Sequence, residues 1–258
     1  MTLSETEIER YSRQLVMREW SGAAQERLRE ARVVVVGAGA LGAPVGAYLA
    51  GAGVGSLEIL DSDRVELSNL PRQPLFVSGE VGMPKAEVAA GRLAAGNPEI
   101  GVEGRRVRVE EDNAAELVEG ASLVVDCSDS FATRYAVNDA CCARGVALVE
   151  AGVLGLDGLV LSVRPGESAC YRCAFPVEPP PGSVPSCREA GVLGPMAGLV
   201  GSAQALEALK LLTGVGEPLL DRILQIDGRD MTQTLVSVRR RAGCPSCASV
   251  SATAHVLA

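Results

Sequence analysis

The chain has 258 residues, 47% of them hydrophobic and 22% charged, with a formal net charge of −8. That length buries a sizeable core in one large domain, or in one with a small appendage. The acidic balance argues against a protein that wraps nucleic acid, because such binding needs phosphate-neutralising cations; 3% aromatics leave the core to Val, Leu, Ala and Ile.

Residues 1–30 are polar with spaced apolar positions at Ile8, Tyr11, Leu15, Val16 and Trp20. This pattern predicts one or two amphipathic helices, packed on the main domain or on a partner subunit. No basic segment followed by an apolar run opens the chain, so no secretory signal is expected. Val33–Ala50 is apolar enough to raise the question of a membrane span, but Gly37, Gly39, Gly42, Pro44 and Gly46 interrupt it. A strand, a tight turn and a helix fit better, and a cytoplasmic protein without a membrane partner is expected.

Residues 32–36 (RVVVV) predict a short strand, followed at once by GAGALG and a helix from about Ala40 to Gly51. A second strand, Leu57–Leu60, ends at Asp61. Strand–turn–helix–strand is the first unit of a dinucleotide-type fold. Gly37 permits the tight turn, Gly39 removes a Cβ where a phosphate must approach, and Gly42 lets helix and sheet pack closely. The helix N-terminus then offers free N–H groups to an anion. Asp61 lies where a carboxylate accepts from ribose hydroxyls. A dinucleotide oxidoreductase remains open at this point.

Residues 61–84 show no periodicity, and so long an irregular connection is usually functional or mobile. Asp63, Arg64, Asn69, Arg72, Gln73 and Lys85 crowd this stretch. The forked donor of Arg72 and the compact charge of Lys85 suit a triphosphate; solvated loop charges are the bland alternative. Next come a helix Lys85–Ala95, a strand Val102–Val109, a short helix Ala114–Val118, a buried strand Leu123–Asp126, a helix Phe131–Ala143 and a strand Ala147–Glu150. Asp126 and Asp129 follow a strand end, could face the same crevice, and could hold Mg2+ through oxygen ligands.

Alternation over Leu154–Val163 predicts an antiparallel extension of the sheet. Residues 165–192 should be an extended loop, broken by Pro176, Pro179, Pro180, Pro181 and Pro185. A helix Leu199–Leu212 and strands Arg222–Asp227 and Met231–Val238 follow. The tail after Cys247 carries the sole histidine, His255, read as a frayed-end residue.

The alternation of strand and helix predicts an α/β fold. Its Rossmann-like, mainly parallel sheet is covered on both faces, with an antiparallel extension and N-terminal helices. The expected organisation is an N-terminal helical segment (1–30), a nucleotide-binding domain (31–247) and a flexible tail (248–258).

Four of the eight cysteines form two CxxC turns, Cys170–Cys173 and Cys244–Cys247. Four thiolates close a tetrahedral zinc site and leave no position for water, so this Zn2+ should be structural. It would tether the proline-rich excursion to the C-terminal segment. Cys127, Cys141 and Cys142 read as small core residues. Cys187 lies in a loop beside Arg188, which favours a thiolate.

Taken together, RYSRQ (10–14), GAGALG (37–42), DSDRVELSNLPRQ (61–73), GMPKAE (82–87), DCSDSFATR (126–134), CYRCAF (170–175), SCREAGVLGPMAGLVGSAQALEALKLLTG (186–214) and CPSC (244–247) resemble the MoeB/ThiF family, relatives of the ubiquitin-activating enzymes. The likeness covers nearly the whole chain, and SNLxRQ after DxDxV is its most specific part. The resemblance implies an adenylyltransferase that uses ATP on the C-terminal glycine of a small ubiquitin-like sulfur carrier ending in Gly-Gly. Molybdopterin, thiamine and related thiolation pathways use such carriers.

The resemblance further implies that Gly37, Gly39, Gly42 and Asp61 cradle the nucleotide, with Asp61 on the ribose. Asp63, Asn69, Arg72, Gln73 and Lys85 would surround the phosphates and the reacting carboxylate. Asp129 would hold Mg2+. Arg13 would reach into the neighbouring subunit's ATP site, making the protein a homodimer. Cys187 matches a position proposed in some relatives for sulfur transfer or carrier linkage. Ser130 departs from the family's Asn, which bears on the positioning of Asp129 or adenine. No room follows Cys247 for a sulfurtransferase domain, so a separate sulfur donor is expected. Two other readings stand beside this one. An NAD(P)-dependent oxidoreductase explains the glycines and Asp61 but not Arg72, Lys85 or the four cysteines. A non-catalytic carrier-binding homologue is the other.

Overall fold

The computed structural model of the chain describes residues 3–251 except 181 and 186, with the backbone alone at 187 and 188. His255 lies outside the described residues, as does most of the 248–258 tail. The N-terminal segment forms three helices, α1 (Glu5–Arg10), α2 (Ser12–Leu15) and α3 (Gly22–Glu30), where one or two were predicted. Ser4 and Ser21 cap α1 and α3 by accepting from backbone N–H groups of the first turn. The segment is pinned to the main body by buried hydrogen bonds. Asn97 Nδ2 donates to Tyr11 Oη (2.9 Å), and Gln14 and Gln25 both donate to Ala52 O (2.8 and 2.9 Å).

Eight strands form one sheet: β1 (Arg32–Val36), β2 (Ser56–Leu60), β3 (Gly101–Arg105), β4 (Leu123–Asp126), β5 (Ala147–Leu154), β6 (Asp157–Val163), β7 (Arg222–Asp227) and β8 (Thr232–Ser237). Their order is β3-β2-β1-β4-β5-β6-β7-β8. The first five are parallel, and the three pairings from β5 to β8 are antiparallel. The remaining helices are α4 (Gly42–Ala52), α5 (Lys85–Gly96), α6 (Ala114–Leu117), α7 (Phe131–Arg144), α8 (Tyr171–Ala174), α9 (Cys187–Ala190) and α10 (Gly194–Thr213).

The central strands are apolar on both faces because helices cover both, while the edge strands β3 and β8 are largely exposed. In β1, Val33 and Val35 join the core under α4, α5 and α10, while Val34 and Val36 join the core under α6 and α7. This two-residue alternation sends a central strand into two separate cores. Helix α10 starts at Gly194, five residues earlier than predicted, with Pro195 in its first turn. Its Gly201 is a contact surface: a Cβ there would lie 2.5 Å from Pro44 Cγ of α4. Strand β3 stops at Arg105, short of the predicted Val109. Among the described residues, no helix is long and apolar enough to cross a membrane.

Candidate active site

The carboxyl ends of β1, β2 and β4 meet at the point where the chain crosses from one side of β1 to the other. Open α/β sheets bind ligands at that switch point. A cleft of about 520 Å³ opens there, lined by Gly37, Gly39, Asp61, Asp63, Asn69, Arg72, Gln73, Lys85 and Asp129. Most of the residues singled out in the sequence therefore share one space.

The glycine turn shows why each glycine is needed. Gly37 has φ +93, and a Cβ there would sit 3.0 Å from Cys127 O. Gly39 faces the cleft, its nearest neighbour being Gln73 Nε2 at 3.7 Å from such a Cβ. Gly42 does not line the cleft; a Cβ would fall 1.9 Å from Gly37 O, so this glycine serves the packing of α4. That helix begins at Gly42 rather than at Ala40.

Asp61 braces the turn. Its Oδ2 accepts from Ala38 N and its Oδ1 from Asp63 N, both at 2.8 Å. Burial raises its carboxyl above the ordinary range; the charge of Lys85 and the two N–H groups pull it back. Lys85, buried at the start of α5, is tied to Asp63 twice. Its N–H donates to Asp63 O (3.0 Å) and its Nζ to Asp63 Oδ2 (3.1 Å). The 61–84 segment is not loose: Val65 N donates to Met83 O (2.9 Å) and Gly82 N to Val65 O (2.8 Å), which closes its base.

Asn69 organises the turn that presents the next two residues. Its carbonyl accepts from Arg72 N and Gln73 N (3.0 Å each), and its side-chain oxygen accepts from Glu66 N (3.1 Å). Arg72 Nη1 donates to Ser68 O (2.7 Å). Gln73 is buried, yet its Oε1 has no donor among the described residues. A buried carbonyl left open toward a cleft is a ligand-facing group. Asp129 is exposed on the loop between β4 and α7. Ser130 caps α7, its Oγ accepting from Thr133 N at 3.4 Å. Serine and asparagine are both good caps, so this departure keeps the helix start.

Several residues fall elsewhere. Asp126 does not face the crevice: it is fully buried and turned toward Glu150. Its position as the last residue of β4 sends its side chain inward, opposite to a cleft-lining role. Arg64 is exposed and donates to Gly82 O, away from the cleft lining. Arg13 is exposed on α2 and does not line the cleft of its own chain. The side chain of Cys187 lies outside the described residues.

The sequence reading missed a second, larger cleft of about 1090 Å³ that meets the first at Asp129, Ser130, Arg134 and Val153. Phe131, Tyr171, Phe175 and Val177 line it from one side, and Leu159, Ile226, Thr232 and Thr234 of β6, β7 and β8 from the other. These positions are far apart in sequence, and no local pattern marks them.

The four cysteines of the CxxC turns converge. Their sulfurs lie within 4.8 Å of one another, with Cys170–Cys244 at 3.6 Å, Cys170–Cys173 at 3.8 Å and Cys173–Cys247 at 3.5 Å. A tetrahedron with Zn–S of about 2.3 Å needs S···S of about 3.8 Å, so the donor set fits that ion. Arg241 N donates to Cys173 Sγ (3.4 Å), an N–H···S contact suited to a thiolate. Without an ion, burial and their sulfur neighbours push the Cys170, Cys173 and Cys247 thiols up, and the amides of Cys247 and Ser246 draw Cys244 down to about 7 against burial. Cys127, Cys141 and Cys142 are buried in the cores, as expected.

The ThiF family profile matches residues 11–246. The chain belongs to the ThiF family. It is 46% identical to the sulfur carrier protein adenylyltransferase of Thermus thermophilus, covering 96% of this chain and 93% of that one. It is 39% identical to the ThiS adenylyltransferase of Escherichia coli, covering 97% and 99%. Among solved structures, Escherichia coli MccB with AMPCPP and MccA superposes with a TM-score of 0.84 at 25% identity, over 95% of this chain and 75% of that one. In ThiF terms, the glycine turn, the 61–73 segment and Lys85 now occupy a single cleft.

Proposed function

We propose that this ThiF-family chain uses ATP to adenylate the C-terminal glycine of a small ubiquitin-like sulfur carrier, releasing pyrophosphate. One observation carries the reading. The cleft holding Gly37, Arg72, Lys85 and Asp129 opens at Asp129 into a second, apolar cleft large enough for an extended chain end. The names of the Thermus thermophilus and Escherichia coli relatives support it.

The chemistry follows from the groups. The carrier's terminal carboxylate attacks the α-phosphorus of ATP, the bond from that phosphorus to the bridging oxygen breaks, and pyrophosphate leaves with the electron pair. A terminal carboxyl is ionised near neutral pH, so no general base is needed. Both reactants are anions, and catalysis consists of holding them together and balancing charge. Lys85 is pre-positioned by Asp63, and Arg72 by Ser68 O and Asn69. Gly39 leaves the phosphates room, and Asp61 offers its carboxylate to the ribose. Gln73 and Asn69 complete the phosphate side. Asp129 would hold Mg2+, which would supply positive charge against the phosphates. A Gly-Gly end passes the junction of the two clefts because it carries no side chains.

The four cysteines hold one structural Zn2+. Arg13 is assigned to the cleft of a second copy in a homodimer; it is exposed beside the apolar Val16 and Met17. A covalent role for Cys187 is left to a trapping experiment: a reducible carrier adduct lost in Cys187→Ser. The oxidoreductase reading leaves Arg72, Lys85 and the second cleft unused.

The test is ATP–pyrophosphate exchange with purified carriers ending in Gly-Gly. Exchange should require the carrier and stop when its last glycine is removed. Absence of exchange with every such carrier rejects the reading, and points to a non-catalytic homologue if a carrier still binds.

A further inference from the structure

Beneath the Cys127–Ser130 loop lies a buried group of charges, of which Arg134 also lines the junction of the two clefts. Asp126 and Glu150 sit at paired positions on β4 and β5, and both are fully buried. They share one cation, Arg134 of α7. Arg134 Nε is 3.5 Å from Glu150 Oε1, and its Nη2 donates to Ser128 O at 2.9 Å. Ser128 N in turn donates to Asp126 Oδ1 at 2.8 Å. The β5 backbone presses on the same guanidinium: a Cβ on Gly152 would lie 2.8 Å from Arg134 Nη1. Tyr171 stands beside it as well, carried on the turn between Cys170 and Cys173. Tyr171 is itself fixed, by its N–H to Asn138 Oδ1 (2.9 Å) and by the edge of the Tyr135 ring at 5.1 Å.

Two carboxylates against one guanidinium would leave an uncompensated charge in the interior, which is costly. Asp126 Oδ2 and both Glu150 oxygens also have no donor among the described residues. One proton shared between the two carboxyls makes the group neutral and pairs one oxygen of each, leaving the third oxygen to the Arg134 charge 3.5 Å from Glu150 Oε1. Burial pushes both carboxyls above the usual range, Glu150 further because the charge of Asp126 adds to it. The network is centred on Arg134.

We propose that Arg134 is a positioning residue for Asp129. Held from below by Asp126 and Glu150 and from the side by Tyr171, it fixes the Ser128 carbonyl and so the loop that carries Asp129. The four-cysteine knuckle is thereby linked to the reaction centre through Tyr171. The effect on rate rests on the adenylation reading above; the effect on the loop does not. A lysine keeps the charge but lacks the planar fork that reaches Ser128 O and Glu150 together.

The test compares Tyr171→Phe, which removes one hydroxyl and keeps both cysteines, with Arg134→Lys, in the full zinc-loaded chain. Hydrogen exchange is followed across residues 126–131, with pyrophosphate exchange measured in parallel. Both variants should speed amide exchange at Ser128–Ser130 while the β1 and β4 core stays protected. In Arg134→Lys the kcat of pyrophosphate exchange should fall about 10- to 100-fold, the scale of a misplaced group. The KM for ATP should stay within about twofold of wild type. Glu150→Gln, which keeps shape and a neutral donor, should retain more of the rate than Glu150→Ala. Unchanged loop protection in both Tyr171→Phe and Arg134→Lys overturns the proposal, as does a uniform loss of protection across the chain. Loop loosening in a protein whose wild type supports no exchange with any carrier upholds the positioning role and rejects the adenylation reading instead.

Discussion

Replacing Lys85 by alanine removes the cation nearest both the phosphate space and Asp61. Lys85 is buried, its Nζ is held 3.1 Å from Asp63, and it is the strongest pull keeping the Asp61 carboxyl down against burial. Two effects follow. Pyrophosphate exchange should fall by roughly 10²-fold or more, the scale of losing a donor aimed at developing charge. Nucleotide binding should also lose its acid tolerance. Asp61 accepts from the ribose most strongly when ionised, and its folded value already lies above normal. Without Lys85 it rises further, so the acid limb of binding moves to higher pH. The fold responds with a related sign. A carboxyl raised on folding stabilises the folded state below its unfolded value and loses that contribution as pH rises through the folded one. The Tm deficit of Lys85→Ala is therefore larger at about pH 7 than at about pH 4. Calorimetric titration with ATP across this range, alongside exchange with saturating carrier, reads both effects. Exchange within twofold of wild type, or an acid limb that does not move, would refute the electrostatic account of the cleft.

Other outcomes follow from the same geometry. Gly42→Ala puts a methyl 1.9 Å from Gly37 O and should cost about 1–3 kcal/mol or more by overpacking, seen as a lowered Tm with weakened ATP binding; a Tm equal to wild type would contradict the packing role. Elemental analysis should find about one Zn per chain, and Cys247→Ser should lose the metal and lower the Tm; a metal-free protein of native stability would remove the zinc assignment. Arg13→Glu and Lys85→Ala, each inactive alone, should recover about a quarter of wild-type activity after random subunit mixing, because half of the dimers then hold one intact cleft. Failure to recover activity would place Arg13 in its own subunit's function or in none.

Local chemistry made much of this protein legible in one dimension. The run of valines before GAGALG could only be a strand entering a tight turn, and Gly37 with its positive φ confirms why the first glycine stands there. The Cys170–Cys173 and Cys244–Cys247 spacings each suggested half of a four-cysteine site, and folding brings the two halves together with their sulfurs within 4.8 Å. The crowding of Asn69, Arg72, Gln73 and Lys85 suited a triphosphate but read equally well as solvated loop charges; the fold brings all four to one cleft. Helix starts were less legible: α10 begins at Gly194, five residues before the predicted Leu199, and its Gly201 permits the close approach of Pro44.

What sequence alone determined, then, were the elements and the residues whose chemistry is short-range: the glycine turn, the charged segment and the cysteine pairs. What only the tertiary structure decided were the relations between distant segments. Asp126 looked like a cleft residue until the pairing of β4 with β5 turned it against Glu150. Arg134 carried no local signal, yet folding sets it between a strand end, a loop carbonyl and the cysteine turn. The second cleft exists only because β6, β7 and β8 stack beside the 174–185 excursion. Periodicity and spacing report on neighbours a few residues apart; burial, charge pairing and cavity walls arise from contacts that the chain makes only once it has folded back on itself.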